Sequence, residues 1–500
     1  MSSPDTTSAA GLPFEASYIH LPEEFYARVA PTPVAEPRLL RLNSALAEQL
    51  GLAPETLNSS RGVELLAGNR LFDDLEPLAM AYAGHQFGNF VPSLGDGRAV
   101  LLGEVVDRDG VRRDIQLKGA GPTPFSRRGD GRAALGPVLR EYVLCEAMFA
   151  LGVPTTRALA MVTTGERVAR ERAEPGAILT RVSAGHVRVG TFQYFYAREM
   201  TDSVRALADY VIDRQYPDLA GAQNPYRALL DAVIKRQAEL IARWLLVGFI
   251  HGVMNTDNMS IMGETIDYGP CAFMDEYDAS KVYSSIDQTG RYAYNQQPGI
   301  GLWNLTRFAE TLLPLLADEE DAAVESAQEA LGAYSSRFQN HYNEGLCHKL
   351  GLAAVNEANS ELAAGLLESM ATNRADFTLT FRRLSELSRD DLASDTRVSA
   401  LFEKPEAFDA WARRWRDRLA VEDRDDAKRR SEMRAINPAF IPRNHRIQQA
   451  IDAASHEENL RPLDNLLAVT SRPFDDHPEL ADYALPPEPH EVVHQTFCGT

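Results

Sequence analysis

The apolar period of this chain changes once, near residue 200, and that change limits the folds open to it. Before it, apolar residues come in short runs bounded by turn residues. Ala99 to Val106 has strand length and Asp107 to Gly110 has turn chemistry. Arg113 to Lys118 then alternates as a partner strand does. Ala158 to Thr163 and Ala177 to Val182 read as further strands. One prominent helix interrupts them. Pro137 opens it, Gly152 stops it after Leu151, and Val138, Tyr142, Cys145 and Phe149 repeat along one face. A shorter helical pattern covers Arg38 to Gln49 and is closed by Gly51. Beyond residue 200 the period is helical. Asn224-Pro225 caps an apolar helix expected to end near Gly252. Leu302 to Leu316 and Glu320 to Lys349 carry the same spacing.

Strands followed by helices define an α+β chain and predict two lobes facing each other across a cleft. The expected division is 1–195 for a strand-rich lobe, 196–485 for a helical lobe and 486–500 for a tail. Leu485-Pro-Pro-Glu-Pro489 is the stiff linker into that tail.

Charge narrows the partners. The formal net charge is -20, which repels nucleic acid and anionic membrane alike. The sign reverses locally between Arg112 and Arg140, where Arg112, Arg113, Lys118, Arg127, Arg128, Arg132 and Arg140 face only Asp114 and Asp130 in sequence. A basic island in an acidic chain suits a compact anion such as a nucleotide phosphate. No apolar run of about 18 residues is present, so no membrane span is expected. Met1 to Gly11 lacks the charged-then-apolar pattern of a secretory signal, so a cytoplasmic protein is expected. The four cysteines, Cys145, Cys271, Cys347 and Cys498, have neither disulfide-framework nor zinc spacing.

Four groups of residues carry chemistry. Gly95-Asp-Gly-Arg98 precedes a strand, where flanking glycines let backbone amides approach a ligand; a simple turn is the plain alternative. Lys118 ends a strand, and Glu141 sits on the buried side of the helix between Val138 and Cys145. A buried carboxylate there needs a cation, and a strand lysine paired with a helix glutamate is how protein kinases hold phosphates. The third group is His251-Gly-Val-Met-Asn-Thr-Asp-Asn258 followed by Asp267-Tyr-Gly269. Its carboxylate and amide oxygens suit Mg²⁺ bridging to phosphates. Set against the kinase catalytic loop, His251 matches the His and Asn258 the metal-binding Asn, while Val253 stands where the catalytic Asp belongs. Asp257 is a substitute base beside the metal ligand. The fourth group, Arg181 and Arg188, can converge from separate segments on a terminal phosphate.

On these residues the chain resembles selenoprotein O, a family of pseudokinase protein adenylyltransferases. Further matching stretches are Ala83-Gly-His-Gln-Phe-Gly88, Gln116-Leu-Lys-Gly-Ala-Gly-Pro-Thr-Pro-Phe-Ser-Arg127, Asp130-Gly-Arg132, Arg140-Glu141, Asn437-Pro438, Arg443-Asn444 and Thr496-Phe-Cys498. The resemblance implies a bilobal protein-kinase-like fold with ATP reversed in the cleft. Lys118, Asp130, Gly131, Arg181 and Arg188 would surround the buried terminal phosphates, and Gly95, Gly97 and Arg98 belong to the same nucleotide site. Glu141 would orient Lys118, Asn258 and Asp267 would hold Mg²⁺ or Mn²⁺, and Asp257 would accept the proton. The product would be AMP on a protein Ser, Thr or Tyr hydroxyl, with UMP transfer as a further family possibility. The resemblance also implies a disulfide between Cys271 and Cys498. The rival readings are a true kinase, opposed by Val253, a non-catalytic ATP-binding scaffold, and a thiol oxidoreductase using Cys498.

Overall fold

The computed structural model describes residues 14–71, 75–422 and 424–497. Helices and strands are mixed, with the large sheet confined to the first part of the chain. The strands there are β1 (Tyr26–Arg28), β2 (Arg38–Leu42), β3 (Leu78–Met80), β4 (Gly84–Gln86), β5 (Asn89–Val91), β6 (Ala99–Val106), β7 (Arg112–Lys118), β8 (Ala133–Ala134), β9 (Arg157–Ala169) and β10 (Ala173–Ser183). The sheet order is β1-β3-β6-β7-β10-β9-β2, with β8 added to β10. All its pairings are antiparallel. β4 and β5 form a separate hairpin. Later, β11 (Phe249–Ile250) pairs with β12 (Ala272–Phe273).

The pleat sorts the sheet's side chains by function. Val100, Leu102, Ile115, Leu117, Ile178 and Val182 enter one apolar cluster with Leu46, Leu50, Leu57 and Leu66 of the N-terminal helices. Leu101, Ala177 and Leu179 point the other way, into the main core with helix Leu135–Ala150. Period two puts Gln116, Lys118 and Arg181 on that second face as well. The register sets Gln116 opposite Arg181, and Lys118 opposite Leu179. Burial of each aliphatic side chain supplies about 1.5–3 kcal/mol, so the strands hold their cations on a stiff frame.

Several sequence expectations need adjustment. Arg38 to Gln49 is not one helix: Arg38–Leu42 is an edge strand paired with β9, and only Ser44–Gln49 is helical. Asn43 divides them, its side chain accepting from Leu46 N at 3.1 Å. Sheet pairing overrides the helical spacing of the leucines. Helix Leu135–Ala150 begins before Pro137, and Phe149 is 51% exposed. Its ring lies against the Arg157 guanidinium, whose carbon is 3.4 Å from the ring centroid, instead of in the core. Helix Pro225–Leu246 is capped by Asn224 as expected, but ends before Gly252 because Phe249 and Ile250 pair with β12.

The helical part frames the loops between residues 251 and 296. Helix Glu320–Lys349 packs on Pro225–Leu246 and Gln297–Leu316. Trp415 and Trp411 donate to the carbonyls of Leu350 and Leu362 at 2.9 and 2.8 Å. The stretch from Asn437 to Asn444 acts as a staple. Arg443, 1% exposed, reaches Asp275 at 2.6 Å and Asp376 at 2.7 Å. Asn444 donates to Phe273 O at 2.7 Å. Both fix β12 and the loop around it. No helix among the described residues is long and apolar enough to cross a membrane.

Lys349 is 3% exposed, and its ammonium faces the Phe377 and Phe381 rings at 5.6 and 4.4 Å. Burial lowers its pKa to about 7, against about 10.4 in an unfolded chain. Between those values the unfolded state binds more protons, so this group makes stability rise with pH from about 7 to about 10. Lys349→Met is expected to stabilise the protein at pH 7 by about 1–3 kcal/mol in urea denaturation and to flatten that rise. An unchanged or lower midpoint would contradict the assignment.

Candidate active site

Cations on and just after the sheet meet a carboxylate of helix Leu135–Ala150 and one of the loop after β11 in one ion knot. Lys118 Nζ lies 2.6 Å from Glu141 Oε2 and 3.0 Å from Asp267 Oδ1. Arg181 contacts the same two carboxylates at 2.7 and 2.6 Å. Arg188 contacts Asp267 Oδ2 at 2.5 Å. Arg181 is 1% and Arg188 3% exposed. Burial alone would raise the Asp267 pKa, but Arg181, Arg188 and Lys118 outweigh it and hold the group well below the carboxylate range. Glu141 is lowered in the same way: Arg181 and Lys118 outweigh its burial. Three cations therefore share these two anions at the base of a cleft, with a third buried carboxylate, Asp96, 4.0 Å from Arg188.

Asp267 is held there with a backbone φ of 61°, a left-handed conformation that Asp tolerates better than most residues. Neighbouring bonds fix it. Thr156 N donates to Thr265 O at 3.0 Å, the Tyr268 and Thr155 hydroxyls meet, and Arg140 donates to the carbonyls of Gly269 and Cys271. His251 Nε2 bonds Ile266 O at 2.9 Å.

The cleft has a volume of about 450 Å³. Gly95, Gly97, Arg98, Lys118, Asp130, Gly131, Arg181, Arg188, Asp257, Asn258 and Asp267 all line it, so the structure brings together residues that the sequence separates widely. Glu141 reaches it through Lys118. Gly95 has φ +69°, and a Cβ there would lie 2.2 Å from Phe125 Cγ, so only glycine lets the Thr123–Ser126 turn lie on the Gly95-Asp-Gly97 backbone. Thr123 and Ser126 then donate to the carbonyls of Asp96 and Gly97 at 2.6 and 2.5 Å. Val253 also lines the cleft and has no proton-accepting side chain.

The basic island divides. Lys118, Arg127 and Arg132 line the cleft, whereas Arg112 pairs with Glu15 and Arg113 with Asp107. Asp130 is exposed and pairs with Arg170 at 2.8 Å, which lowers its pKa. Cys271 is buried, and burial pushes its thiol up to about 12. Cys498 lies outside the described residues.

Asp257 behaves differently from Asp267. Burial raises its pKa to about 6, against the hydrogen bond from Gln86 and the charge of Arg188. Gln86 Nε2 donates to Oδ2 at 3.1 Å, and Oδ1 is buried without a partner. Asn258 donates its amide N–H to Val253 O at 3.0 Å, leaving the amide oxygen as an acceptor. The Asn258 amide and the Asp267 carboxylate offer hard oxygen donors of the kind a divalent cation takes. Among the described residues no group of three or more His, Cys, Asp or Glu side chains forms a closed metal cage. Mg²⁺ commonly takes one or two side chains and completes its shell with phosphates and water.

Sequence reasoning gave no role to Asp96, Gln116 and Gln86, which lie inside stretches it singled out, and passed over Tyr82 altogether. Asp96 is 2% exposed, accepts from Met80 N at 3.1 Å and Gln116 Nε2 at 3.2 Å, and stands 4.0 Å from Arg188. Tyr82 lies 4.7 Å from the Arg188 guanidinium. Asp96 was visible between its glycines; the other three carry no charge and give no sequence signal.

A cation-lined cleft over hard oxygen donors is the site of a nucleotide-handling enzyme. The class narrows on comparison with known proteins. The chain belongs to the protein adenylyltransferase SelO family, whose sequence profile matches residues 9–471. It is 62% identical over 492 residues to the protein nucleotidyltransferase YdiU of Rhodopseudomonas palustris strain BisB18, covering 98% of this chain and 100% of that protein. The YdiU protein of Bradyrhizobium diazoefficiens is 62% identical over 488 residues, covering 98% and 99%. That of Methylorubrum extorquens is 62% identical over 493 residues, covering 98% and 99%.

The knot makes a stability prediction. Glu141→Ala leaves Lys118 and Arg181 to share Asp267 with Arg188 in a buried site. It is expected to cost about 3 kcal/mol or more in denaturant unfolding; a loss under about 0.5 kcal/mol would mean the knot is solvated and unimportant.

Proposed function

We propose that this chain transfers AMP from ATP to hydroxyl groups of other proteins, with Asp257 as proton acceptor and Lys118, Arg181 and Arg188 holding the leaving pyrophosphate. The observation that carries this reading is the position of the buried cation cluster. It lies deepest in the cleft, around Asp267, where terminal phosphates can replace or join the carboxylate. A kinase keeps its γ-phosphate outward; here the strongest anion site is inward, so the α-phosphate is left toward the acceptor.

In the step, the acceptor hydroxyl oxygen bonds to the α-phosphorus as its proton passes to the Asp257 carboxylate. The bond from the α-phosphorus to the bridging oxygen breaks, and its electron pair leaves with pyrophosphate. Lys118, Arg181 and Arg188 stabilise that charge without reorganising, because Glu141 and the sheet already hold them. Asp130, Gly131, Gly95, Gly97 and Arg98 form the remaining wall around the nucleotide. Asn258 and Asp267 would hold Mg²⁺ or Mn²⁺, which supplies charge neutralisation between phosphates. UTP as an alternative donor fits the same phosphate grip.

The same reading carries the finer architecture. It takes the fold as bilobal and kinase-like, with lobes at 1–195 and 196–485 and a tail at 486–500, in a cytoplasmic protein. It also keeps the Cys271–Cys498 pairing. In support, Thr496 Oγ1 donates to Pro270 O at 2.6 Å, which brings the tail to the residue before Cys271.

The test uses the purified chain, a generic acceptor protein and ATP labelled at either the α- or the γ-phosphate. Protein-bound label from α alone is expected, and Lys118→Ala is expected to lower it at least about 10²-fold. Label from γ would make the chain a kinase, and none from either would favour a scaffold.

A further inference from the structure

The hairpin β4–β5 contributes no charge to the phosphate grip, yet it is bonded to three successive residues of the catalytic loop. Phe87 N donates to Asn255 Oδ1 at 3.0 Å, His85 N to Thr256 Oγ1 at 2.7 Å, and Gln86 Nε2 to Asp257 Oδ2 at 3.1 Å. Thr256 is held again from behind, donating to Gln193 Oε1 at 2.6 Å, while Gln193 Nε2 meets His85 Nδ1 at 2.8 Å. Strand alternation turns His85 away from Gln86, and its ring packs against Phe90 and Trp303 at 5.0 and 5.3 Å. Gly84 is the close point: a Cβ there would lie 2.5 Å from Asp257 Oδ1.

The two ends of Asp257 are thus fixed by different parts of the protein. Arg188 donates to its backbone carbonyl at 2.6 Å, tying the main chain to the phosphate cage. The side chain has Gln86 as its hydrogen-bond donor, and Oδ1 is left unpartnered. With Oδ2 bonded to Gln86 and Oδ1 buried against Gly84, the plane of the carboxylate is fixed from both sides.

We propose that Gln86 is a positioning residue: its amide anchors Asp257 Oδ2 while the side-chain-free Gly84 leaves room for the buried Oδ1, so that the carboxylate is held in one orientation beside the acceptor hydroxyl. The proposal rests on Asp257 being the proton acceptor. It accounts for a segment whose chemistry the phosphate grip leaves unexplained. It also separates two tasks. The sheet face and Arg188 bind nucleotide, while the hairpin sets the geometry of proton removal and has no part in nucleotide affinity.

The experiment compares Gln86→Leu, Gln86→Glu, Gly84→Ala, Asp257→Asn and the double variant Gln86→Leu/Asp257→Asn in the full chain. It measures AMP transfer to one acceptor, KM for ATP, affinity for a non-hydrolysable ATP analogue, and thermal midpoint. Gln86→Leu and Gln86→Glu are each expected to lower kcat about tenfold or more with analogue affinity unchanged. Gln86→Glu keeps the size and loses the donor, so a packing role alone would leave it near wild type. Gly84→Ala, which crowds Asp257 from the other side, is expected to show the same split. In the Asp257→Asn background, Gln86→Leu is expected to add no further loss. Wild-type kcat in both Gln86 variants, an equal loss in the Asp257→Asn background, or weakened analogue binding in step with kcat would overturn the proposal. Full transfer by Asp257→Asn would instead remove the proton-acceptor reading itself, and the positioning role with it.

Discussion

The site depends on Asp267 being surrounded by Lys118, Arg181 and Arg188. Each contact is 3.0 Å or shorter, and the carboxylate is drawn from a segment distant in sequence from all three cations. Two of the cations are on strands and the third follows the last strand of the sheet. The carboxylate comes from the loop after β11. The knot therefore joins the sheet to the helical part at the cleft. Isolated arginines this deep would be costly to bury. Glu141, Asp267 and the nearby Asp96 offset that cost.

Much of the rest serves to keep that knot in place. The pleat of β7 and β10 sends Gln116, Lys118 and Arg181 to the face covered by helix Leu135–Ala150, which delivers Glu141. Arg443 and Asn444, remote in sequence, tie β12 and its surroundings to the helical body. The hairpin at Gly84–Val91 holds the adjoining Asn255–Asp257 stretch. The walls of the cleft are thus bonded to one another, so on the proposed reading a nucleotide's phosphates enter without rebuilding them.

The sequence made the charged half of this site legible and the neutral half invisible. Lys118 and Glu141 were readable because a cation ending a strand and a carboxylate on an apolar helix face need partners, and Asp267 because it heads the Asp-Tyr-Gly turn. The strands at Ala99–Val106 and Ala177–Val182 were readable from apolar runs alone. Gln86 and Gln116 have no such signature, since an amide is equally at home on a surface. Arg38–Leu42 was misread because an edge strand with two arginines can mimic helical spacing, and only its pairing with β9 decides the matter. The Arg443 staple joins residues far apart in the chain, so no local pattern announces it.

The orientation of the nucleotide tests this account most directly. A crystal structure with a non-hydrolysable ATP analogue and Mg²⁺ would place each phosphate. The account predicts the γ-phosphate within hydrogen-bonding distance of Lys118, Arg181 and Arg188, with the α-phosphate outward beside Asp257. A nucleobase in that inner pocket with the γ-phosphate directed to the cleft mouth would contradict it.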